Sequence, residues 1–203
     1  MNEFEKALIK YLGADNLEKI QRIKVGICGA GGLGSNVAAS LVRSGFRDFV
    51  IADFDRVDTT NLNRQFFFFN QVGECKADAL EENLKAINKD ISVKKHILKI
   101  DRDNAAAVFD DCDVLVEAVD RADVKPIIIE TAMAIGAFCV SASGMAGVGN
   151  SDEMITRKFG DRLYIVGDFK SDIEKGAPPL APRVNIAAAK EADLILEWVI
   201  GKI

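Results

Sequence analysis

One stretch, from Lys24 to Lys76, restricts the fold of this chain more than any other. An apolar run, Lys24-Val25-Gly26-Ile27-Cys28, passes directly into Gly29-Ala30-Gly31-Gly32-Leu33-Gly34. An alanine- and valine-rich segment, Ser35 to Ser44, follows. A second apolar run, Asp48 to Ala52, then delivers Asp53-Phe54-Asp55. By period and length this is strand, tight turn, helix, strand. The glycine spacing has a mechanical reason: Gly29 lets the chain turn off the strand end, Gly31 lets backbone approach a phosphate, and Gly34 lets helix and strand pack closely. The helix that starts here points unpaired N–H groups at an anion in the crevice. Asp53 stands nineteen residues after Gly34, where such folds place a carboxylate that accepts bonds from a ribose. A glycine triplet alone is weak evidence. With a strand before it, a helix after it and an acid at this separation, it predicts a nucleotide site.

At 203 residues the chain is expected to form a single domain, 1–203, with a three-layer core. The net charge of -5 argues against nucleic acid as a partner. No apolar stretch reaches the eighteen or so residues that span a bilayer, and Met1 to Lys6 lacks the basic-then-apolar order of a secretory signal. A soluble, cytoplasmic protein is expected. Cys28, Cys75, Cys112 and Cys139 stand far apart with no C-x-x-C pair, so no zinc is expected. Cys75 draws notice only because it adjoins Lys76, a cation able to lower a thiol pKa.

Along the chain, Phe4, Ala7, Leu8, Tyr11 and Leu12 recur at helical spacing, and the pattern resumes at Leu17 after a break, giving an N-terminal helical arm over 1–20. After Asp55 the polar, turn-rich segment to Gln65 reads as a loop at the carboxyl end of the second strand, the ligand-binding edge of an open α/β sheet. Phe66 to Phe69 cannot all face one core, so some of these rings should cover a ligand or meet a partner chain. Lys76 to Asn88 has helical spacing and Ser92 to Ile100 alternates as a strand. His96 lies in it, the only histidine, and reads as a solvent-facing strand residue. Asn104 to Phe109 is a short helix, Asp113 to Val119 a buried strand ending at Asp120, Ala122 to Ile135 a helix with Pro126 in its first turn, and Ala137 to Ala142 a fifth strand. Asp53, Asp55 and Asp120 all end strands, and two or three carboxylates beside a nucleotide's phosphates point to Mg²⁺. Two alternating runs around Phe159-Gly160-Asp161 predict a β-hairpin. Residues 167–183 read as a mobile crossing loop and 184–200 as a closing amphipathic helix. The fold class expected is α/β: a Rossmann-like, mostly parallel sheet with helices on both faces and an antiparallel C-terminal extension.

The glycine turn suits a dehydrogenase too, so other residues must decide. Asn61, Arg64 and Lys76 follow Asp53 at offsets of 8, 11 and 23. Hydride transfer has no special need for two cations beyond the ribose acid, whereas nucleotidyl transfer does. When a carboxylate attacks the α-phosphorus of ATP, charge builds on the phosphate oxygens and the departing pyrophosphate, and positioned Arg, Lys and Mg²⁺ stabilise it. A carboxylate nucleophile is already ionised at neutral pH, so no histidine base is required.

Together, Gly29 to Gly34, Asp53-Phe54-Asp55, Asn61-Leu62-Asn63-Arg64-Gln65, Lys76 and Asp120 resemble the ThiF/MoeB family, relatives of ubiquitin-activating enzymes that adenylate the C-terminal glycine of a ubiquitin-like sulfur carrier. The similarity covers about residues 17 to 150. The short length is similar to the compact ThiF proteins of thiamine biosynthesis, whose carrier, ThiS, ends in Gly-Gly. The resemblance implies an ATP site built from Gly29, Gly31, Gly32, Gly34, Asp53, Asp55, Asn61, Arg64, Gln65 and Lys76. Gly31 would meet the triphosphate and Asp53 the ribose, while Asn61, Arg64 and Gln65 line the phosphate side. Arg64, Lys76 and Asp120 would carry the chemistry, with Asp120 on Mg²⁺. A homodimer with an eight-stranded sheet is also implied. Family members commonly carry two C-x-x-C zinc pairs, a later cysteine for the carrier or sulfur, and an N-terminal arginine that crosses the dimer interface. This chain has no such pairs, no cysteine after Cys139, and no arginine in residues 1–20, where Lys6 or Lys10 would have to substitute. Adenylation with sulfur delivered elsewhere is therefore expected. The alternatives are an NAD(P)-linked oxidoreductase, a non-catalytic family member, and a member acting on another carboxylate, such as the modified base treated by a related tRNA dehydratase.

Overall fold

The computed structural model describes residues 1–172 and 176–203, so part of the expected crossing loop, 173–175, lies outside the described residues. The first strand, β1 (Lys24–Cys28), is followed by helix α3 (Gly32–Arg43) and strand β2 (Asp48–Ala52), with helices α1 (Glu3–Leu12) and α2 (Ala14–Gln21) before them. Then come α4 (Lys76–Ile87), β3 (Ser92–His96), α5 (Ala105–Phe109), β4 (Val114–Glu117), α6 (Lys125–Ile135) and β5 (Phe138–Ala142). Strands β6 (Ile155–Phe159) and β7 (Leu163–Gly167) and helix α7 (Ala181–Val199) close the chain.

Among the described residues, seven strands form one sheet in the order β3-β2-β1-β4-β5-β7-β6. All pairings are parallel except β6 with β7. The eighth strand implied by the family resemblance is absent among the described residues. Central strands are apolar on both faces because helices cover both. Val114, Val116, Phe138 and Val140 enter one core with α3 and α7, whereas Leu115 and Cys139 enter a second with α5 and α6. In α7, Trp198 stacks on Phe138 of β5 with ring centroids 5.0 Å apart, fixing the last helix against the sheet.

Four expected boundaries move. Helix α6 starts at Lys125 rather than Ala122, with Pro126 in its first turn. Strand β3 stops at His96 rather than Ile100, because its neighbour β2 ends at Ala52, the residue paired with His96. Strand β4 stops at Glu117, paired with Cys28, because Gly29 then turns β1 away. Helix α7 starts at Ala181, with Pro182 in its first turn, so it takes residues that the sequence assigns to the crossing loop. No helix among the described residues is long and apolar enough to cross a membrane.

Candidate functional site

The strand order runs outward in opposite directions from β1 and β4, and the crevice above their carboxyl ends is where open α/β sheets take ligands. A cavity of about 810 Å³ opens there. Its shape begins with backbone. Gly29 has φ +96°, and a Cβ on it would lie 2.7 Å from the Ala118 carbonyl oxygen, so only glycine turns the chain this close to β4. A Cβ on Gly34 would sit 1.9 Å from the Gly29 carbonyl oxygen, which is how tightly α3 lies on the turn. Gly31 differs. A Cβ there would meet nothing nearer than Gln65 Nε2 at 3.9 Å, and the free space above it belongs to the cavity. Gly31 precedes the first turn of α3, where no side chain caps the helix, so the N–H groups of that turn remain available to an anion.

Asp53, at the end of β2, is buried. Its Oδ2 accepts from Ala30 N at 2.6 Å and its Oδ1 from Asp55 N at 2.7 Å. Burial raises its pKa, and the two backbone N–H bonds and the Lys76 ammonium pull it back. Each carboxylate oxygen keeps a second lone pair, so the group is pinned without being saturated. Lys76 is 6% exposed and sits in the first turn of α4, the end where a cation is unfavourable. Asp55 compensates, with its Oδ2 2.9 Å from Lys76 Nζ. Arg64 donates to Asn63 Oδ1 at 2.7 Å and to the Thr60 carbonyl at 3.2 Å. Gln65 is buried, and its Oε1 has no hydrogen-bond partner among the described residues.

Of the residues singled out in the sequence, Gly29, Gly31, Gly32, Asp53, Asp55, Arg64, Gln65, Lys76 and Asp120 line this one cavity. Two do not. Gly34 acts in packing, below the turn. Asn61 closes its own turn instead of facing the phosphate side: its side-chain oxygen accepts from Asp58 N at 3.0 Å, and its carbonyl accepts from Arg64 N and Gln65 N. It therefore positions the two residues that do line the cavity. The expected convergence of three acids is also corrected. Asp53 is held by backbone and Asp55 by Lys76, and no group of three metal-ligating side chains forms among the described residues. Asp120 is exposed at the cavity rim, with no hydrogen bond to another described residue, so its carboxylate is open to a ligand. One protein carboxylate completed by phosphate oxygens is a donor set that suits Mg²⁺.

His96 is half-buried rather than solvent-facing; its Nε2 is enclosed without a partner, and burial, followed by the charge of Lys94, lowers its pKa. It lies outside the cavity lining. In the phenylalanine run, Phe67 is buried, Phe66 half-buried, and Phe68 and Phe69 exposed. A second polar cluster, Glu117, Lys125 and Ser141, joins residues far apart in the chain and was missed by sequence reasoning. Its one available signal was a glutamate within a strand otherwise apolar enough to be buried on both faces.

The ThiF family model matches residues 5–160. The chain belongs to the ThiF family. Curated ThiF-type relatives include the adenylyltransferase and sulfurtransferase UBA4 of Candida glabrata, 33% identical over 64% of this chain and 30% of the relative. The sulfur carrier protein adenylyltransferase of Thermus thermophilus is 29% identical over 64% of this chain and 48% of the relative. The chain thus spans half or less of the length of these two relatives. Among solved structures, the E. coli tRNA N6-threonylcarbamoyladenosine dehydratase TcdA in complex with ATP superposes with a TM-score of 0.85 at 19% identity, covering 98% of this chain and 95% of that one. At that identity the likeness is one of fold.

Proposed function

We propose that this ThiF-family chain adenylates the C-terminal glycine carboxylate of a ubiquitin-like sulfur carrier of the ThiS kind, in the assembly of the thiamine thiazole, using ATP with Mg²⁺ and working as a cytoplasmic homodimer. The observation that carries the reading is a single cavity holding an open glycine turn, a pinned ribose-type acid, the Arg64 and Lys76 cations and the exposed Asp120 carboxylate. The relatives' names support the reaction class, and the ATP bound to TcdA supports the nucleotide.

In this reading Asp53 accepts bonds from the ribose, and the backbone at Gly31 and the first turn of α3 receive the phosphates. Arg64 and Lys76 stabilise the charge that grows on the α-phosphate oxygens and the pyrophosphate. Lys76 is suited to this because Asp55 holds its ammonium at a fixed point. The carrier's carboxylate oxygen attacks the α-phosphorus in line, that P–O bond forms, the bond to the β-phosphate oxygen breaks, and pyrophosphate leaves. No proton is transferred, in keeping with a cavity that His96 does not line. Asp120 would hold Mg²⁺, which when bound neutralises charge shared between the phosphates.

Labelled pyrophosphate exchanging into ATP only when a carrier ending in Gly-Gly is present supports the assignment; no exchange with any such carrier rejects it. Thermal stabilisation by NAD and not by ATP with Mg²⁺ would instead favour an oxidoreductase.

A further inference from the structure

The proposed reaction brings an anionic carboxylate against an anionic phosphate, so positive charge is needed on the side of the nucleophile as well as on that of the leaving group. Arg64 and Lys76 both arrive from segments that follow β2. Strand β2 flanks β1 on one side and β4 flanks it on the other, and in-line attack requires the nucleophile to approach opposite the leaving pyrophosphate. Of the five cations among the described residues lining the cavity, Lys99 lies over the Phe54 ring and Arg121 pairs with Asp123. The fifth is Lys125.

Lys125 opens α6, five residues after Asp120; its side chain is 29% exposed and the residue lines the cavity. Its ammonium is anchored at 2.9 and 2.8 Å from the two carboxylate oxygens of Glu117, whose side chain is fully buried. Glu117 is itself fixed by Val119 N at 3.0 Å and Ser141 Oγ at 2.5 Å. Glu117 pairs in register with Cys28, one residue before the glycine turn, so the anchor stands beside that turn on its β4 side. An ammonium has three donors. With two directed at Glu117, the third has no partner among the described residues, and burial of the anchor keeps the lysine from swinging away.

Building on the adenylation reading, we propose that Lys125 is the carboxylate-binding residue of this site: it receives the carrier's terminal carboxylate on the β4 side and holds it opposite the pyrophosphate. Lys125 acts by holding the carboxylate and forms no bond to the product.

The test uses the full chain with a ThiS-like carrier ending in Gly-Gly. Removing Lys125 alone leaves Glu117 buried and unpaired, so the primary variant is Glu117→Gln with Lys125→Met, which deletes both charges together. Lys125→Gln, which retains a hydrogen bond to Glu117, is the second. In both, the Kd for ATP with Mg²⁺ stays within about twofold of wild type while KM for the carrier rises at least about tenfold, the loss expected when a charge-assisted bond is removed. Lys125→Arg, which keeps the charge, recovers most of the carrier affinity. An unchanged carrier KM and kcat in a folded variant, or an ATP Kd weakened by the same factor, overturns the assignment. A wild-type protein that exchanges with no carrier overturns the adenylation reading itself, so the two failures are distinct.

Discussion

Gly31 and Gly34 stand three residues apart in one motif, yet the geometry separates their roles into ligand binding and packing. For Gly34→Ala, the new Cβ would lie 1.9 Å from the Gly29 carbonyl oxygen and 2.9 Å from Ile27 Cγ2. No rotamer relieves a contact with backbone, so α3 must lift from the turn. Overpacking of this kind costs up to about 3 kcal/mol, and replacing a helical glycine by alanine returns about 1 kcal/mol. The net loss of about 2 kcal/mol corresponds to a fall in Tm of roughly 4–8 °C for a chain of this size. For Gly31→Ala, φ is -82° and the added methyl meets only Gln65 Nε2 at 3.9 Å, so the fold tolerates it. The change in stability should stay within about 0.5 kcal/mol, as for surface substitutions. The methyl occupies the space a phosphate needs, and losing one charge-assisted N–H contact of about 1.5–3 kcal/mol weakens ATP binding roughly ten- to hundredfold. Chemical denaturation and calorimetric titration with ATP and Mg²⁺ read the two effects separately. A Gly31→Ala protein that binds ATP like wild type, or a Gly34→Ala protein as stable as wild type, refutes the division.

Three further outcomes are expected. Lys76→Met should lower kcat/KM for pyrophosphate exchange by about 10²–10³, the size of one lost transition-state donor, while the fold survives because Asp55 is exposed enough to rehydrate; exchange at the wild-type rate would remove Lys76 from the chemistry. Asp120→Asn should abolish exchange and leave stability within about 0.5 kcal/mol, since Asp120 is exposed and makes no hydrogen bond within the described protein; near-normal exchange would count against its metal role. Glu191 in α7 is fully buried with neither oxygen hydrogen-bonded among the described residues, and burial raises its pKa well above the ordinary glutamate value. The folded state therefore holds a proton that the unfolded chain releases, and this group's contribution, complete below its unfolded pKa, is lost as pH rises towards its folded pKa. Glu191→Gln should gain stability over wild type by up to about 1.4 kcal/mol for each pH unit across that interval. Urea melts at several pH values measure it, and parallel pH profiles for the two proteins would contradict the buried-acid reading.

Much of the fold was legible because its signals are local. The glycine spacing, the apolar runs at Lys24–Cys28 and Asp48–Ala52, and the helical pattern beginning at Lys76 depend on neighbours in sequence, and the structure places elements there. The hairpin around Gly160 was legible as alternation and a turn. What escaped was set by contacts distant in sequence. Strands β3 and β4 stop where their partners stop, not where their own apolar pattern ends. Asn61 looked like a ligand residue because its type and offset fit the phosphate side, but its own turn captures its side chain. Asp55 resembled a metal ligand until Lys76, 21 residues later, proved to hold it. The network of Glu117, Lys125 and Ser141 joins two strands and a helix, and no window of sequence contains it.

Transfer of an adenylyl group to a terminal carboxylate is the central step of the proposed reaction. The measurement that tests this most directly incubates the protein and Mg²⁺ with a ThiS-like carrier and ATP labelled at the α-phosphorus, then reads the label on the carrier. The α-label should appear on the carrier, γ-label should not, and a carrier lacking its final glycine should take neither. A carrier that acquires no α-label while the protein binds ATP, or one labelled equally without its terminal glycine, would contradict the proposed reaction.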